Sequence, residues 1–81
     1  MVVVRRNNYS LMCIEVGRVE SWTTLTTFLE EKKSEYEAKG YLTCWDDNRL
    51  KTGLVVWNEG ESYFFCVYSK RLPRTKREFV W

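Results

Sequence analysis

Only one segment of this chain has the apolar spacing of an amphipathic helix, and every other apolar segment is short and strand-like. After Ser21, apolar side chains recur at three- and four-residue steps, and the opposite face is charged. Ser21 can act as an N-cap, because its hydroxyl can accept a backbone N–H of the first turn. Lys39 and Gly40 supply a cation and a left-handed position for the helix end. One helix covers one face of a sheet, so this pattern limits the rest of the fold.

The remaining apolar segments predict strands separated by turns. Residues 9–16 predict a first strand ending at Gly17, and the valines at 2–4 either extend it or form a separate short edge strand. Three more strands are predicted at 41–45, 50–57 and 62–71, with turns at 46–49 and 58–61. We therefore expect one α+β domain over residues 1–81. In it, a single helix packs on a small, mainly antiparallel sheet in the order β-α-β-β-β, and a basic tail begins at about residue 73.

The predicted strands carry more apolar side chains than one helix can cover. A strand with one solvated face alternates apolar and polar residues, yet both alternating positions are apolar in 54–57 and 63–68. Aromatic residues make up 16 % of the chain, more than a domain this small can fully enclose. Either the termini fold over the second face, or that face binds another molecule.

A binding surface built from these rings and from the basic tail is the favoured interpretation, since Tyr, Trp and Arg often anchor interfaces. The expected partner is a larger host protein or protein complex, and a second copy of the chain is an alternative. The predicted partner-binding residues are Trp45, Trp57, Tyr63, Phe65, Lys70, Arg71, Arg74, Lys76 and Arg77.

The distribution of charge leaves a second hypothesis open. Residues 1–6 carry +2 and residues 70–81 carry +4, so residues 7–69 hold −4 of a net charge of +2. An acidic body argues against nucleic-acid binding over the whole surface. The tail alone could still contact phosphate while Trp57, Tyr63 or Phe65 stacks on bases of single-stranded or duplex nucleic acid. Alternatively, the basic tail is only solvated, or it docks on an acidic patch of a protein.

The sequence predicts no enzyme, no metal site and no cofactor. It lacks histidine, the commonest general base and metal ligand, and its four glycines are too scattered to form a phosphate-binding loop. Cys13, Cys44 and Cys66 are far apart in sequence, so we expect reduced core thiols. Reduced thiols, and the lack of an apolar run that could cross a bilayer, predict a cytoplasmic protein that does not span a membrane.

In size, in its lack of catalytic residues and in its strand-helix-strand order, the chain resembles the small inhibitors that phages make against host defence or transcription complexes, including anti-CRISPR proteins. The resemblance implies a protein-binding inhibitor and assigns no role to any residue. Anti-CRISPR proteins that imitate DNA are strongly acidic, and a net charge of +2 does not fit that mode.

Overall fold

One α-helix and a five-stranded antiparallel sheet make up the fold. A computed structural model describes residues 1–68. In chain order the elements are β1 (Val2–Asn7), β2 (Cys13–Arg18), α1 (Trp22–Ala38), β3 (Leu42–Trp45), β4 (Leu54–Trp57) and β5 (Ser62–Tyr68). The strands lie in the sheet in the order β2-β1-β5-β4-β3. The predicted α+β class, with one helix on an antiparallel sheet, is confirmed.

The N-terminal strands differ from the prediction. Residues 9–12 lie in a loop rather than in the first strand, and the valines at 2–4 belong to a separate strand, β1. This strand lies between β2 and β5, so it is not at an edge of the sheet. The physical reason is Asn7, whose side-chain oxygen accepts backbone N–H bonds from Tyr9 at 2.9 Å and Ser10 at 3.1 Å. Such a bond turns the chain, and apolar periodicity does not reveal it.

A similar side-chain bond to the backbone shortens β4, which begins at Leu54 rather than at residue 50. The Asp47 side chain accepts backbone N–H bonds from Arg49 at 2.8 Å and Leu50 at 3.2 Å. Lys51 then adopts a φ of +54° and donates its N–H to the Asp47 carbonyl at 2.7 Å. The predicted turn therefore extends to Gly53. The last predicted strand is confirmed as far as Tyr68, and residues 69–71 of that prediction lie outside the described residues.

Helix α1 covers one face of the sheet and supplies three of the eight residues of the core cluster. Its predicted cap is confirmed, because the Ser21 hydroxyl oxygen accepts the Thr24 backbone N–H at 3.3 Å. Gly40 has a φ of +93°, as expected of the residue that follows the helix C-cap. Leu25 and Leu29 are fully buried against the sheet. The other core residues are Tyr36 of the helix and Val3, Leu54, Val56, Tyr63 and Phe65 of the sheet.

Strand register assigns every sheet residue to one of two faces, since directly paired residues of antiparallel strands point to the same side. Phe65 pairs with Leu54, and both lie in the core under the helix. Phe64 pairs with Val55, so these side chains point to the opposite face. Near β1 part of that face is buried, since Cys66 is only 8 % exposed. We name its part on β3, β4 and β5 the open face: Leu42, Cys44, Val55, Trp57 and Phe64.

Gly53 allows the Phe64 ring to lie against the backbone. A Cβ atom at Gly53 would be 2.9 Å from Cε1 of Phe64 and 3.0 Å from the Cβ atom of Asp46. The Asp46 backbone is held by its N–H bond to the Gly53 carbonyl at 2.8 Å, so rotating side chains does not relieve the contact. We expect Gly53→Ala to lower the free energy of unfolding by roughly 1–3 kcal/mol, measured by urea denaturation.

Gly60→Ala is the matched control, because a Cβ atom at Gly60 has no heavy atom within 4 Å. We expect this control to change the free energy of unfolding by less than about 0.5 kcal/mol. Equal stability of the two variants would show that Phe64 does not pack over Gly53 in solution.

Candidate binding surface

The four predicted binding rings do not form one surface. Trp57 is half-buried on the open face, whereas Trp45, Tyr63 and Phe65 lie on the side that the helix covers. Phe65 is only 1 % exposed and Tyr63 only 9 % exposed. Trp45 packs at the margin of the core, with Lys51 Nζ 5.6 Å from its ring centroid. In the folded chain, Phe65 and Tyr63 have almost no area to offer a partner, so packing is their role.

The predicted basic tail lies outside the described residues, and its part in binding stays a prediction. Its predicted contact residues are Lys70, Arg71, Arg74, Lys76 and Arg77. Residues 1–68 contain eight basic and ten acidic side chains, a balance of −2. The sheet and helix therefore carry no excess of positive charge for an anionic partner.

The open face is apolar and only partly shielded from water. Leu42 is 61 % exposed and Cys44 is also exposed, whereas Val55, Trp57 and Phe64 are half-buried. Leu42 and Trp57 pair across β3 and β4, so their side chains are neighbours on this face. The result is a strip of apolar side chains that ends at the β3 edge of the sheet.

The Phe64 ring is held in place at the centre of the sheet. It lies over Gly53 on one side, and the guanidinium carbon of Arg6 is 5.3 Å from its centroid, within the range of a cation–π contact. Arg6 is itself oriented, because its Nε donates to the Asn8 side-chain oxygen at 3.1 Å. A shallow depression of about 570 Å³ beside this ring is lined in part by Val55 and Asn8. A ring fixed in this way loses little conformational entropy when a partner covers it.

The thiols differ from the expectation of three core cysteines. Only Cys66 is buried, while Cys13 is half-buried and Cys44 is exposed on the open face. Burial raises the pKa of the Cys13 thiol, although the nearby Arg6 guanidinium acts in the opposite direction. Cys44 is exposed because it lies on the edge strand, on the face that α1 does not cover.

A tyrosine cluster on the other side of the sheet joins the hairpin loop at 58–61 to the helix. The hydroxyls of Tyr41 and Tyr63 donate to the two carboxylate oxygens of Glu61, the second at 2.9 Å. Arg5 lies 4.2 Å from the centroid of the Tyr63 ring and donates from Nη1 to the Tyr36 hydroxyl at 3.2 Å. The Tyr36 ring meets Tyr41 edge-on, with centroids 4.9 Å apart. These contacts link β1, β5 and the helix C-terminus.

The hydrogen bonds of this cluster shift its pKa values in opposite directions. The Tyr41 and Tyr63 hydroxyls stabilise the Glu61 carboxylate and hold its pKa below the ordinary value. The bond to Glu61, reinforced by burial, raises the pKa of Tyr41 to about 12 and also raises the pKa of Tyr63. None of these three groups is therefore poised to exchange a proton near neutral pH, and the cluster is suited to a structural role.

In residues 1–68, no group of three or more His, Cys, Asp or Glu side chains could hold a metal ion. No helix in this range is long and apolar enough to cross a membrane. Comparison of the chain with protein-family models, with curated proteins and with solved structures found no match. The open face is therefore the feature of this chain from which a function is proposed.

The lowered pKa of Glu61 predicts a dependence of stability on acid. Its ionised form stabilises the fold above pH 4.5, and this contribution is lost as the pH falls through the lower pKa of the folded state. We expect Glu61→Gln to weaken the fall in the free energy of unfolding between about pH 6 and about pH 3, measured by urea denaturation.

Glu59→Gln is the matched control, because Glu59 lies in the same loop but outside the tyrosine cluster. This control should leave the acid dependence of the wild type unchanged. An equal acid dependence in wild type and Glu61→Gln would contradict the role of Glu61.

Proposed function

We propose that this chain is a small protein-binding module that engages a larger protein through the open face. The supporting observation is the unequal covering of the sheet. Helix α1 buries one face, while the opposite face keeps Leu42 61 % exposed beside the half-buried Trp57. Contiguous exposed apolar patches on small domains commonly mark interaction sites.

The composition of the open face suits a dry, apolar contact. Trp57 belongs to the residue type most enriched among side chains that dominate binding energy, and Phe64 adds a second ring beside it. Leu42 lies at the rim of this strip, where a partner would remove most of its exposed area from water. Burying such a side chain contributes about 1.5–3 kcal/mol, before the entropy of association is subtracted. A complementary apolar helix or loop of the partner fits this surface best.

Inhibition by occupying a surface is the mode of action that we propose. A chain of 81 residues without histidine has few means of acting on a partner chemically, but it can block a site on a larger complex. The phage inhibitors that this chain resembles act on host defence and transcription complexes, CRISPR complexes among them. We therefore propose a complex of that kind as the target.

The nucleic-acid hypothesis has less support from residues 1–68. Their net charge of −2 would repel a phosphate backbone from most of the surface. Tyr63 and Phe65, which that hypothesis assigns to base stacking, are buried under the helix. Nucleic-acid binding would depend on Trp57 and on the basic tail alone.

A charge placed on the open face tests the proposal. Leu42→Glu would bury an unpaired carboxylate in the interface, so we expect at least about a tenfold loss of partner affinity. Leu42 is 61 % exposed, and its replacement should leave the free energy of unfolding within about 0.5 kcal/mol of wild type. The measurement is affinity capture from the native host with and without nuclease, quantified by mass spectrometry.

Leu50→Glu is the matched control, because Leu50 has a similar exposure of 65 % but lies in the turn before β4. A protein captured by wild type and by Leu50→Glu, but not by Leu42→Glu, would support the open face as the binding site. Equal capture by both variants would refute it. Capture that disappears with nuclease would favour the nucleic-acid hypothesis instead.

A further inference from the structure

The two edges of the sheet differ in their protection against pairing with another strand. β2 forms one edge, and its pairing with β1 shifts register between Val3 and Val4, which leaves Val16 as an extra residue. The exposed ion pair of Arg18 and Glu15, at 3.2 Å, lies on the same strand. A bulge and charged side chains both discourage a further strand from pairing at an edge. The β2 edge is therefore protected.

Within residues 1–68 the β3 edge has no bulge, and the nearby charge of Glu37 lies on the helix side, where its carboxylate accepts the Thr43 hydroxyl at 2.6 Å. Residues 41–45 contain no charged side chain, and both Leu42 and Cys44 are exposed. β3 pairs in regular register with β4 over all four of its residues. A regular, uncharged edge strand readily accepts another strand.

The hydrogen bonding of β3 shows which backbone groups point outward. The Asp46 N–H donates to the Gly53 carbonyl at 2.8 Å, so this pair bonds across the two strands. Hydrogen-bonded and non-hydrogen-bonded pairs alternate along antiparallel strands. Cys44 and Leu42 therefore also bond to β4, and the N–H and C=O groups of Thr43 and Trp45 point to the open edge.

The sequence of this edge is self-complementary when it is read antiparallel. Residues 41–45 run aromatic, apolar, Thr, apolar, aromatic. We propose that β3 pairs with β3 of a second copy about a two-fold axis at Thr43, which joins two five-stranded sheets into one. Thr43 then faces Thr43 of the second copy, Leu42 faces Cys44, and Tyr41 faces Trp45. Thr–Thr, apolar and aromatic cross-strand pairs are all favourable.

The Thr43 axis pairs more residues than the neighbouring axes do. With the axis at Thr43, all of residues 41–45 face residues 41–45 of the second copy. An axis at Leu42 would pair only residues 41–43 with each other, and an axis at Cys44 would pair only residues 43–45. The Thr43 register therefore gives the longest ladder of matched side chains along this edge.

This dimer does not rest on the proposed function. Thr43 lies on the helix-covered side, so a change there leaves the open face intact. Pairing at the edge would place the open faces of both copies side by side on one surface of the joined sheet. Dimerisation can therefore be tested without a partner, and loss of the dimer is distinguishable from loss of partner binding.

A cysteine at the proposed axis provides the test. Hydrogen-bonded antiparallel pairs have Cα atoms about 5.5 Å apart, which lies within the range that a disulfide spans. We expect the full chain carrying Thr43→Cys and Cys44→Ser to form a disulfide-linked dimer under mild oxidation. The matched control carries Cys44→Ser and, on the protected edge, Ile14→Cys, a 51 % exposed position whose replacement keeps the Glu15–Arg18 ion pair. It should cross-link at least about tenfold more slowly. Similar cross-linking rates in the two variants would overturn the proposal.

Sedimentation of the wild type gives a second measurement that needs no new cysteine. We expect a concentration-dependent dimer in the wild type and a monomer in Thr43→Pro, which lacks the outward-pointing N–H that the pairing uses. Circular dichroism checks that Thr43→Pro is folded. If the variant does not fold, the cross-linking comparison decides. A wild type that stays monomeric at all concentrations, or a dimer that persists in folded Thr43→Pro, would refute this interface.

Discussion

The packing of one helix against five strands is the constraint on which the rest of the structure depends. Leu25 and Leu29 of α1 are completely buried against Leu54 and Phe65, and this contact fixes which face of the sheet becomes the core. A single helix has no second apolar stripe with which to cover the other face. The residues of the open face lie on the same strands as the core and point the other way, and those at the β3 edge, Leu42 and Cys44, stay exposed.

Local backbone chemistry determined how much of the fold could be predicted from the sequence. The helix was predictable because its cap, its apolar spacing and its terminal glycine all indicate the same segment. The loop at 58–61 was predictable for a similar reason, and the Asn58 side-chain oxygen indeed accepts backbone N–H bonds from Gly60 at 3.0 Å and Glu61 at 2.9 Å. The ends of the strands near Asn7 and Asp47 were not predictable from the sequence. There, side-chain oxygens accept backbone N–H groups that would otherwise bond within the sheet, and strand propensity does not reveal such a bond.

The apolar composition of the open face and the place of Trp57 in the predicted surface could be read from the sequence, but the choice between Phe64 and Phe65 could not. The loss of alternation in β4 and β5 correctly indicated two apolar faces. Phe64 and Phe65 are adjacent and chemically identical, so the sequence cannot tell which ring lies under the helix. Register decides this point, since a shift of one residue moves a side chain to the opposite face. For that reason Phe65 was predicted as a binding residue, while Phe64 was recognised only from its pairing with Val55.

The exposed residues of β3 contribute little to folding, and we propose that their role is in association. A leucine that is 61 % exposed in the folded chain gains little from folding, because much of its surface stays in water in both states. Pairing along four or five residues also buries far less than the roughly 1,000 Å² expected of a stable interface, so edge pairing alone gives a weak dimer. A partner that contacts two adjacent open faces would strengthen that dimer, because the second contact is then intramolecular. Edge pairing and face binding are thus physically coupled, although each can occur without the other.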